Sequence, residues 1–470
     1  MLSGKDLIKL GYPEGKAIGL AINTVVKYFR RSENEEIYKM LEAVLANPKD
    51  FVEDSIWHKV ALALLPQLAG EKKSRVHALL KNRIDYAIYG AVEIEEGARN
   101  QMEIAMKLPV TVAGALMPDA HLGYGLPIGG VLATKNVVIP YGVGVDIGCR
   151  MCLTVYPLDE KFMERHRSNL KQILMDNTCF GRETFNRPKE HEVLDRKIFD
   201  ELTILKKLKG RAALQIGSSG SGNHFVEFGW IELLPDNIWK QKPGTYLAVL
   251  SHSGSRGLGA EIARHYTRLA KEICLLPREA ANLAWLDLDS EAGQEYWMAM
   301  NLAGDYASAN HHQIHDRIAD ALGEEAMFVV ENHHNFAWKE KLVDGTEVIV
   351  HRKGATPAGE GVLGIIPGSM TAPGFIVRGK GSSEALNSAS HGAGRIMSRS
   401  AAKNSITNKM LRQALQSADV DLMGGGLDEA PMAYKDIMKV MHYQDDLVEV
   451  IGEFTPKIVR MCGDDSPAED

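Results

Sequence analysis

From about Met106 onward the chain is written in short apolar runs cut by glycine and proline, and this texture limits what it can fold into. Val110 and Val112, then Gly129-Gly130-Val131-Leu132-Ala133 and Val137-Val138-Ile139-Pro140, are the first of them. Such runs read as buried strands joined by tight loops. A charged, mainly helical stretch from about Asp159 to Lys209 interrupts the pattern. Strand-like segments return at Thr245–Leu250 and Ala326–Glu331, with helices between, as in Leu258–Ile273. Strands and helices do not alternate with a regular βαβ period. The expected class is therefore α+β: mixed sheets with surrounding helices in one large core, rather than a doubly wound fold.

The first ~95 residues read as helices. Ile18, Ile22, Val25, Val26 and Phe29 form one stripe. Ser32-Glu33-Asn34-Glu35 has a capping-box pattern ahead of Ile37, Met40, Leu41, Val44 and Leu45. Ile56, Val60 and Leu64, followed by Pro66, suggest a third short helix. This gives a helical N-terminal region over 1–100 and a larger core over 101–470. The last ~60 residues read as a helical section with a polar tail, Asp464–Asp470, expected to fray.

Cysteines are few, odd in number and irregularly spaced (Cys149, Cys152, Cys179, Cys274, Cys462), which fits reduced thiols in the cytoplasm better than a disulfide framework. No charged-then-apolar leader is present and no apolar run approaches the ~18 residues of a membrane span, so no membrane partner is expected. The net charge of −7 hides an asymmetry. Between His351 and Arg412 stand nine basic residues (Arg352, Lys353, Arg378, Lys380, Arg395, Arg399, Lys403, Lys409, Arg412) against Glu360 and Glu384, a local balance of +7. Such a field suits a phosphodiester or nucleotide phosphates; a solvated basic face is the plainer alternative.

Five histidines and one cysteine recur in glycine-rich or polar segments: Asp146-Ile147-Gly148-Cys149, Asn223-His224-Phe225-Val226-Glu227, Ser251-His252-Ser253-Gly254-Ser255-Arg256, Asn332-His333-His334-Asn335 and Ser390-His391-Gly392-Ala393-Gly394-Arg395. Imidazole, thiolate and carboxylate bind transition metals, and loops are where a scaffold usually presents its chemistry. His391 differs in setting: small neighbours let a phosphate approach the imidazole, and Arg395 could neutralise it. Three other features have alternatives. Cys149 and Cys152 are formally Cys-x-x-Cys but lack a second pair. His311 and His315 have helical i,i+4 spacing without a glutamate in the zincin position. His121 is either a ligand-orienting or a core histidine.

These segments, with MPDAHLGYGLPIGG from Met117, HRKGATPA, IIPGSM and NSASHGAGRIMSR, occur in an order that resembles the RtcB family of RNA-splicing ligases over roughly residues 100 to 460. The resemblance implies two Mn2+ ions, one held by Cys149, His252 and His334 and the other by Asp146, Cys149 and His224. It implies His391 as the catalytic nucleophile that takes GMP from GTP. Nucleotide contacts carry over to Asn223, His224, Phe225, Val226, Glu227, His334, Asn335, Pro367, Gly368, Ser369, Met370, Gly374, His391, Gly392, Ala393, Gly394 and Tyr434. Glu227 is a candidate to orient the His391 ring. The implied partners are RNA with 3′-phosphate (or 2′,3′-cyclic phosphate) and 5′-hydroxyl ends, and an archease-type activator. A thiolate by itself would favour zinc, cobalt or iron, so manganese rests on the resemblance.

Two departures stand out. Family members commonly end in Lys-Gly, where this chain has Arg460-Met461-Cys462-Gly463, and the serine expected after the GSM motif is replaced around Pro373-Gly374. Gly374–Gly381 mimics P-loop spacing, but Gly381 stands where Ser or Thr must hold magnesium and Phe375-Ile376-Val377 is strand-like. The rival functional readings are a dinuclear metal-dependent phosphoesterase without a covalent histidine, and a nucleic-acid 3′-end capping or end-binding protein.

Overall fold

Two sheets organise the core of the computed structural model, which describes residues 2–13, 15–30, 32–65 and 75–463. Among the described residues the larger sheet has eight strands. Seven run in the order Phe328–His333, Arg150–Asp159, Gly244–Ser253, Phe225–Leu233, Val448–Met461, Gly374–Gly379 and Leu363–Ile366. Asp421–Met423 adds in parallel beside Val448–Met461. The two edges of this sheet meet through a side chain. The Ile365 amide donates to Asn332 Oδ1 at 2.8 Å, and Asn332 Nδ2 donates to the Ile365 carbonyl at 3.3 Å. An asparagine amide thus stands in for a peptide group, and the sheet becomes a nearly closed barrel with its edges covered.

The second sheet has the order Asn335–Lys341, Glu347–Lys353, Leu126–Thr134, Thr111–Tyr124 and Ala87–Ile88, antiparallel except for its last pair. A 32-residue helix, Glu291–Leu322, runs behind both, started by the Ser290 side chain accepting from the Gly293 amide and stopped by Gly323 at φ 69°. The α+β expectation matches this mixture of sheets and covering helices. No described helix is long and apolar enough to cross a membrane.

The N-terminal stripes do form helices, at Gly4–Leu10, Lys16–Tyr28, Asn34–Ala46 and His58–Leu64. Ile18, Ile22, Leu41, Val44, Trp57 and Val60 make a core of their own. The expected capping box at Ser32 does not form. Glu33 is the cap residue of the third helix, without a side-chain bond, and the Ser32 amide instead closes a turn onto the Phe29 carbonyl at 3.1 Å. The capping box lies at Ser3 and Asp6. Helical structure does not extend to residue 95: Ala87–Ile88 is already a strand of the second sheet. Residues 66–74, with Pro66, fall outside the described part.

The C-terminal expectation needs a larger correction. A helix does form at Asn408–Ala418, but Val448–Met461 is a 14-residue strand in the interior of the larger sheet. A register shift between Pro456 and Ile458 breaks its alternation, which is why it does not read as a strand. Asp464–Asp470 lies outside the described residues. The P-loop look-alike is a strand, Gly374–Gly379, in agreement with its rejection.

Candidate metal centre and nucleophile

The metal-type ligands gather at one end of the larger sheet, on strand ends more than on loops. His252 lies inside the Gly244–Ser253 strand, His224 immediately before Phe225–Leu233, and His334 between the strands Phe328–His333 and Asn335–Lys341. Asp146 and Cys149 come from a turn pressed against the long helix. Gly148, at φ 74°, lies so close to Gly304 that an added Cβ would stand 2.9 Å from the Gly304 Cα.

The donors interlock. Cys149 Sγ is 3.1 Å from His252 Nε2 and 3.4 Å from His224 Nε2. His252 Nε2 is 3.2 Å from His334 Nε2, and His224 Nε2 is 3.2 Å from Asp146 Oδ2. Two groups result, Cys149 with His252 and His334, and Asp146 with Cys149 and His224, each with donor atoms within 4.8 Å of one another and all five side chains buried.

Protonation decides what such crowding means. His252 Nδ1 faces the Asn223 carbonyl at 3.1 Å, and a carbonyl can only accept, so the proton sits on Nδ1 and Nε2 points a lone pair at Cys149 and His334. Burial, then the nearby His224, pushes His252 down to about 3. Burial also holds His334 well below the usual imidazole range. Burial alone would raise Asp146, but its contacts with His224, Cys149 and the Ser255 amide hold it below the usual carboxylate range. Its Oδ1 accepts from Ser255 N at 2.9 Å and Ser255 Oγ at 3.1 Å. Three imidazoles, two of them held neutral by burial, with a thiol and a carboxylate aimed at common points, fit two cations sharing Cys149.

His391 follows the short strand Ser388–Ser390 and faces the same cavity, its ring 5.0 Å from that of His334. Its Nδ1 lies 2.7 Å from Asp119 Oδ2, which also accepts from the His391 amide at 3.1 Å. A carboxylate there places the imidazole proton on Nδ1 and leaves Nε2 as the nucleophilic atom. Asp119 is fully buried; burial would raise it, but its hydrogen bond with His391, then the nearby Lys435, hold it below the usual carboxylate range. Lys435 Nζ donates to the carbonyls on either side, Pro118 at 3.1 Å and Ala120 at 2.7 Å. Glu227, the expected orienting group, does not reach His391. It is a buried carboxyl of the cavity wall, raised well above its ordinary range by burial. Asp119 was legible only as part of the MPDAH segment.

Of the expected nucleotide contacts, all but Val226 line this cavity. Val226 alternates to the other face of its strand and packs in the core with Phe228, Leu247 and Val249. Asn335 does line the cavity, yet its amide is engaged: Oδ1 accepts from Gly354 N at 2.8 Å and Nδ2 donates to the Asp146 carbonyl at 3.3 Å. Lys353, Glu429, Val459 and Met461 also line it and were not among the expected nucleotide contacts. Burial brings Lys353 down to about 7.

The remaining candidates resolve differently. His311 and His315 are packed, not surface or metal-binding: both bond Ser251 Oγ, at 2.9 and 2.8 Å, and His315 also bonds Thr154 Oγ1 at 2.7 Å. Cys152 is buried in the sheet, belongs to neither donor group, and its thiol is pushed up by burial. His121 is satisfied by the Asp119 carbonyl at 3.1 Å while lining the cavity. The basic stretch is largely neutralised: Arg352 pairs with Glu340, Arg378 with Glu449, and Arg395, Arg399 and Lys403 with Glu429 or Asp428. Arg395 therefore has its guanidinium committed, also donating to the carbonyls of Asp428 and Met397, and does not stand open for a phosphate.

The sequence model of the RtcB family, described as tRNA-splicing ligase RtcB, matches residues 101–461. The chain belongs to the RtcB family. It is 36% identical to the RNA-splicing ligase RtcB1 of Escherichia coli strain ATCC 25922 over 391 residues, covering 77% of this chain and 93% of that relative. It is 35% identical to the RNA-splicing ligase RtcB of Escherichia coli K12 over the same shares. With the tRNA-splicing ligase RtcB of Thermococcus kodakarensis it is 31% identical, over 74% of this chain and 86% of that one. Against the RtcB pattern, Arg460 does not replace the missing C-terminal lysine. Its guanidinium turns away from the cavity, donating to the carbonyls of Met175 at 2.7 Å and Thr178 at 2.9 Å. Met461 lines the RtcB cavity at that end instead.

Proposed function

We propose that this chain is a GTP-dependent RNA ligase that joins an RNA 3′-phosphate, or a 2′,3′-cyclic phosphate after opening, to a 5′-hydroxyl end. The Asp119–His391 pair beside the five-donor cluster is the observation that carries the reading. His391 Nε2 attacks the α-phosphorus of GTP, a P–N bond forms, and pyrophosphate leaves with the broken P–O bond. Asp119 keeps the Nδ1 proton in place and stabilises the charge the ring gains. The GMP then passes to an oxygen of the RNA 3′-phosphate, freeing His391, and the 5′-hydroxyl displaces GMP in the joining step. Two Mn2+ held by Cys149, His252 and His334 and by Asp146, Cys149 and His224 would supply positive charge to phosphoryl oxygens.

The cavity residues Asn223, Phe225, Glu227, Pro367, Gly368, Ser369, Met370 and Tyr434 would seat the nucleotide. The partners this reading entails are RNA with 3′-phosphate and 5′-hydroxyl ends and an archease-type activator, in the cytoplasm. The division proposed is an N-terminal region over 1–100, helical as far as Leu64, ahead of a catalytic core over 101–470. A phosphoesterase without a covalent histidine leaves the Asp119–His391 pair without a role. The deciding test is incubation with α-labelled nucleoside triphosphates and Mn(II), beside His391→Ala. An acid-labile adduct from GTP, lost in the variant, is expected. Its absence under every metal tested would sink the ligase mechanism.

A further inference from the structure

The hairpin beside the nucleophile carries a feature the chemistry above leaves unused. Leu122 is 55% exposed and Tyr124 67% exposed at the tip joining the Thr111–Tyr124 and Leu126–Thr134 strands. Two large apolar side chains exposed side by side next to a cavity are surface available to a partner. The tip is not loose. Gln101 clamps Gly123 from both sides, its Nε2 donating to the carbonyl at 2.6 Å and its Oε1 accepting from the amide at 3.0 Å. The Leu122 amide donates to Glu95 Oε1 at 2.8 Å, and Gly125, at φ 78°, sits against Asn282. The ring is exposed on a fixed backbone.

The tip is also wired to the cavity. Lys353 lines the cavity with His121 and His391, and its Nζ donates to the Tyr124 carbonyl at 2.7 Å. The same Nζ lies 5.1 Å from the centre of the half-buried Tyr141 ring, and the Tyr141 and Tyr124 rings stand 6.2 Å apart with a 31° tilt. That spacing is wider than a stacked pair such as Trp239 and Phe328, at 4.1 Å and 10°. Two spread aromatic rings on a fixed backbone, tied to a cavity that holds His391, are the arrangement that receives a base of single-stranded nucleic acid.

We infer that Tyr124, backed by Tyr141, is a stacking platform for a nucleobase at or next to a reacting RNA end. This rests on the RNA-ligase reading of the same site and deepens it by naming a substrate contact. The test measures fluorescence anisotropy of short single-stranded RNAs, one with a 3′-phosphate and one with a 5′-hydroxyl, on the full chain and on Tyr124→Ala, Tyr124→Leu and Tyr124→Phe. Each RNA is also made with an abasic site at either of its two terminal positions.

Alanine and leucine should weaken binding of at least one RNA roughly ten- to a hundredfold, phenylalanine should bind like the parent chain, and the loss should vanish when the stacked base is removed. Unchanged binding in Tyr124→Ala overturns the platform, and so does a phenylalanine variant as weak as alanine. Adduct formation from GTP is measured in parallel. If the parent chain makes no adduct, the ligase reading fails, while the anisotropy comparison still judges Tyr124 on its own.

Discussion

Asp119 Oδ2 lies 2.7 Å from His391 Nδ1, bridging residues 272 positions apart in the chain. One comes from the long strand of the second sheet, the other from a turn lying against it. Gly394, at φ 73°, makes the approach possible, because any Cβ there would collide with the Asp119 carbonyl. Asp119→Asn should keep the fold and the pairing distance but present an amide that can donate to Nδ1, favouring the wrong tautomer. The rate of guanylylation is expected to fall about 10²- to 10⁴-fold with an unchanged melting temperature. A variant that labels at the parent rate would remove Asp119 from the mechanism.

Sharing of Cys149 between the two donor groups makes a stoichiometric prediction. Metal content by elemental analysis after Mn(II) loading and desalting should be two per chain for the parent protein. It should drop to about one in His224→Ala, which touches one group, and toward zero in Cys149→Ala, which touches both. Equal losses in the two variants would argue against a bridging thiolate.

Gly254 packs its backbone directly onto the Asp146 carboxylate, where a methyl group has no room. Gly254→Ala should therefore displace Asp146, cost one bound metal and reduce labelling. Gly210, inside the helix Thr203–Gln215 with open space around it, is the control. Gly210→Ala should leave metal content intact and stabilise the chain by about 0.5–1 kcal/mol in chemical denaturation. Normal metal binding in Gly254→Ala would show that the Asp146 turn can shift without loss.

Glu331 gives a pH prediction away from the nucleophile. It pairs with Arg150 at 3.1 Å and His312 at 3.2 Å. Burial alone would raise its carboxyl, yet the His312 hydrogen bond and the Arg150 charge bring it down to about 2. A depressed carboxyl stabilises the fold above its ordinary value near 4.5 and loses that contribution as pH falls toward 2. Glu331→Gln should therefore cost about 1–2 kcal/mol at pH 7, after discounting for its partial exposure, and the gap should narrow steadily below about pH 4. A pH-independent difference between the two proteins would mean the loss is packing rather than charge.

The α+β class, the helical stripes of residues 16–64, the five metal-type donors and His391 as a candidate nucleophile were legible in the sequence. Each is written locally, as apolar periodicity or as a chemically unusual side chain in a glycine-rich segment. The Ser32 capping box failed because a local pattern competes with a neighbouring turn onto Phe29. The Val448–Met461 strand was invisible because its bulge destroys the alternation that marks a strand. Val226 was misplaced because a motif names consecutive residues, while a strand sends alternate ones to opposite faces.

What the sequence by itself determined is the inventory: which donor-type side chains stand in glycine-rich segments, and which family. What only tertiary structure decided is who orients whom. That Asp119 rather than Glu227 holds His391, that Arg395 is occupied by Glu429 and Asp428, and that Tyr124 stands exposed with its carbonyl bonded to Lys353 of the cavity wall all depend on contacts between distant segments. Hydrogen bonds and ion pairs act over about 3 Å, and no spacing along a chain reports which remote groups the packing of two sheets brings within that range.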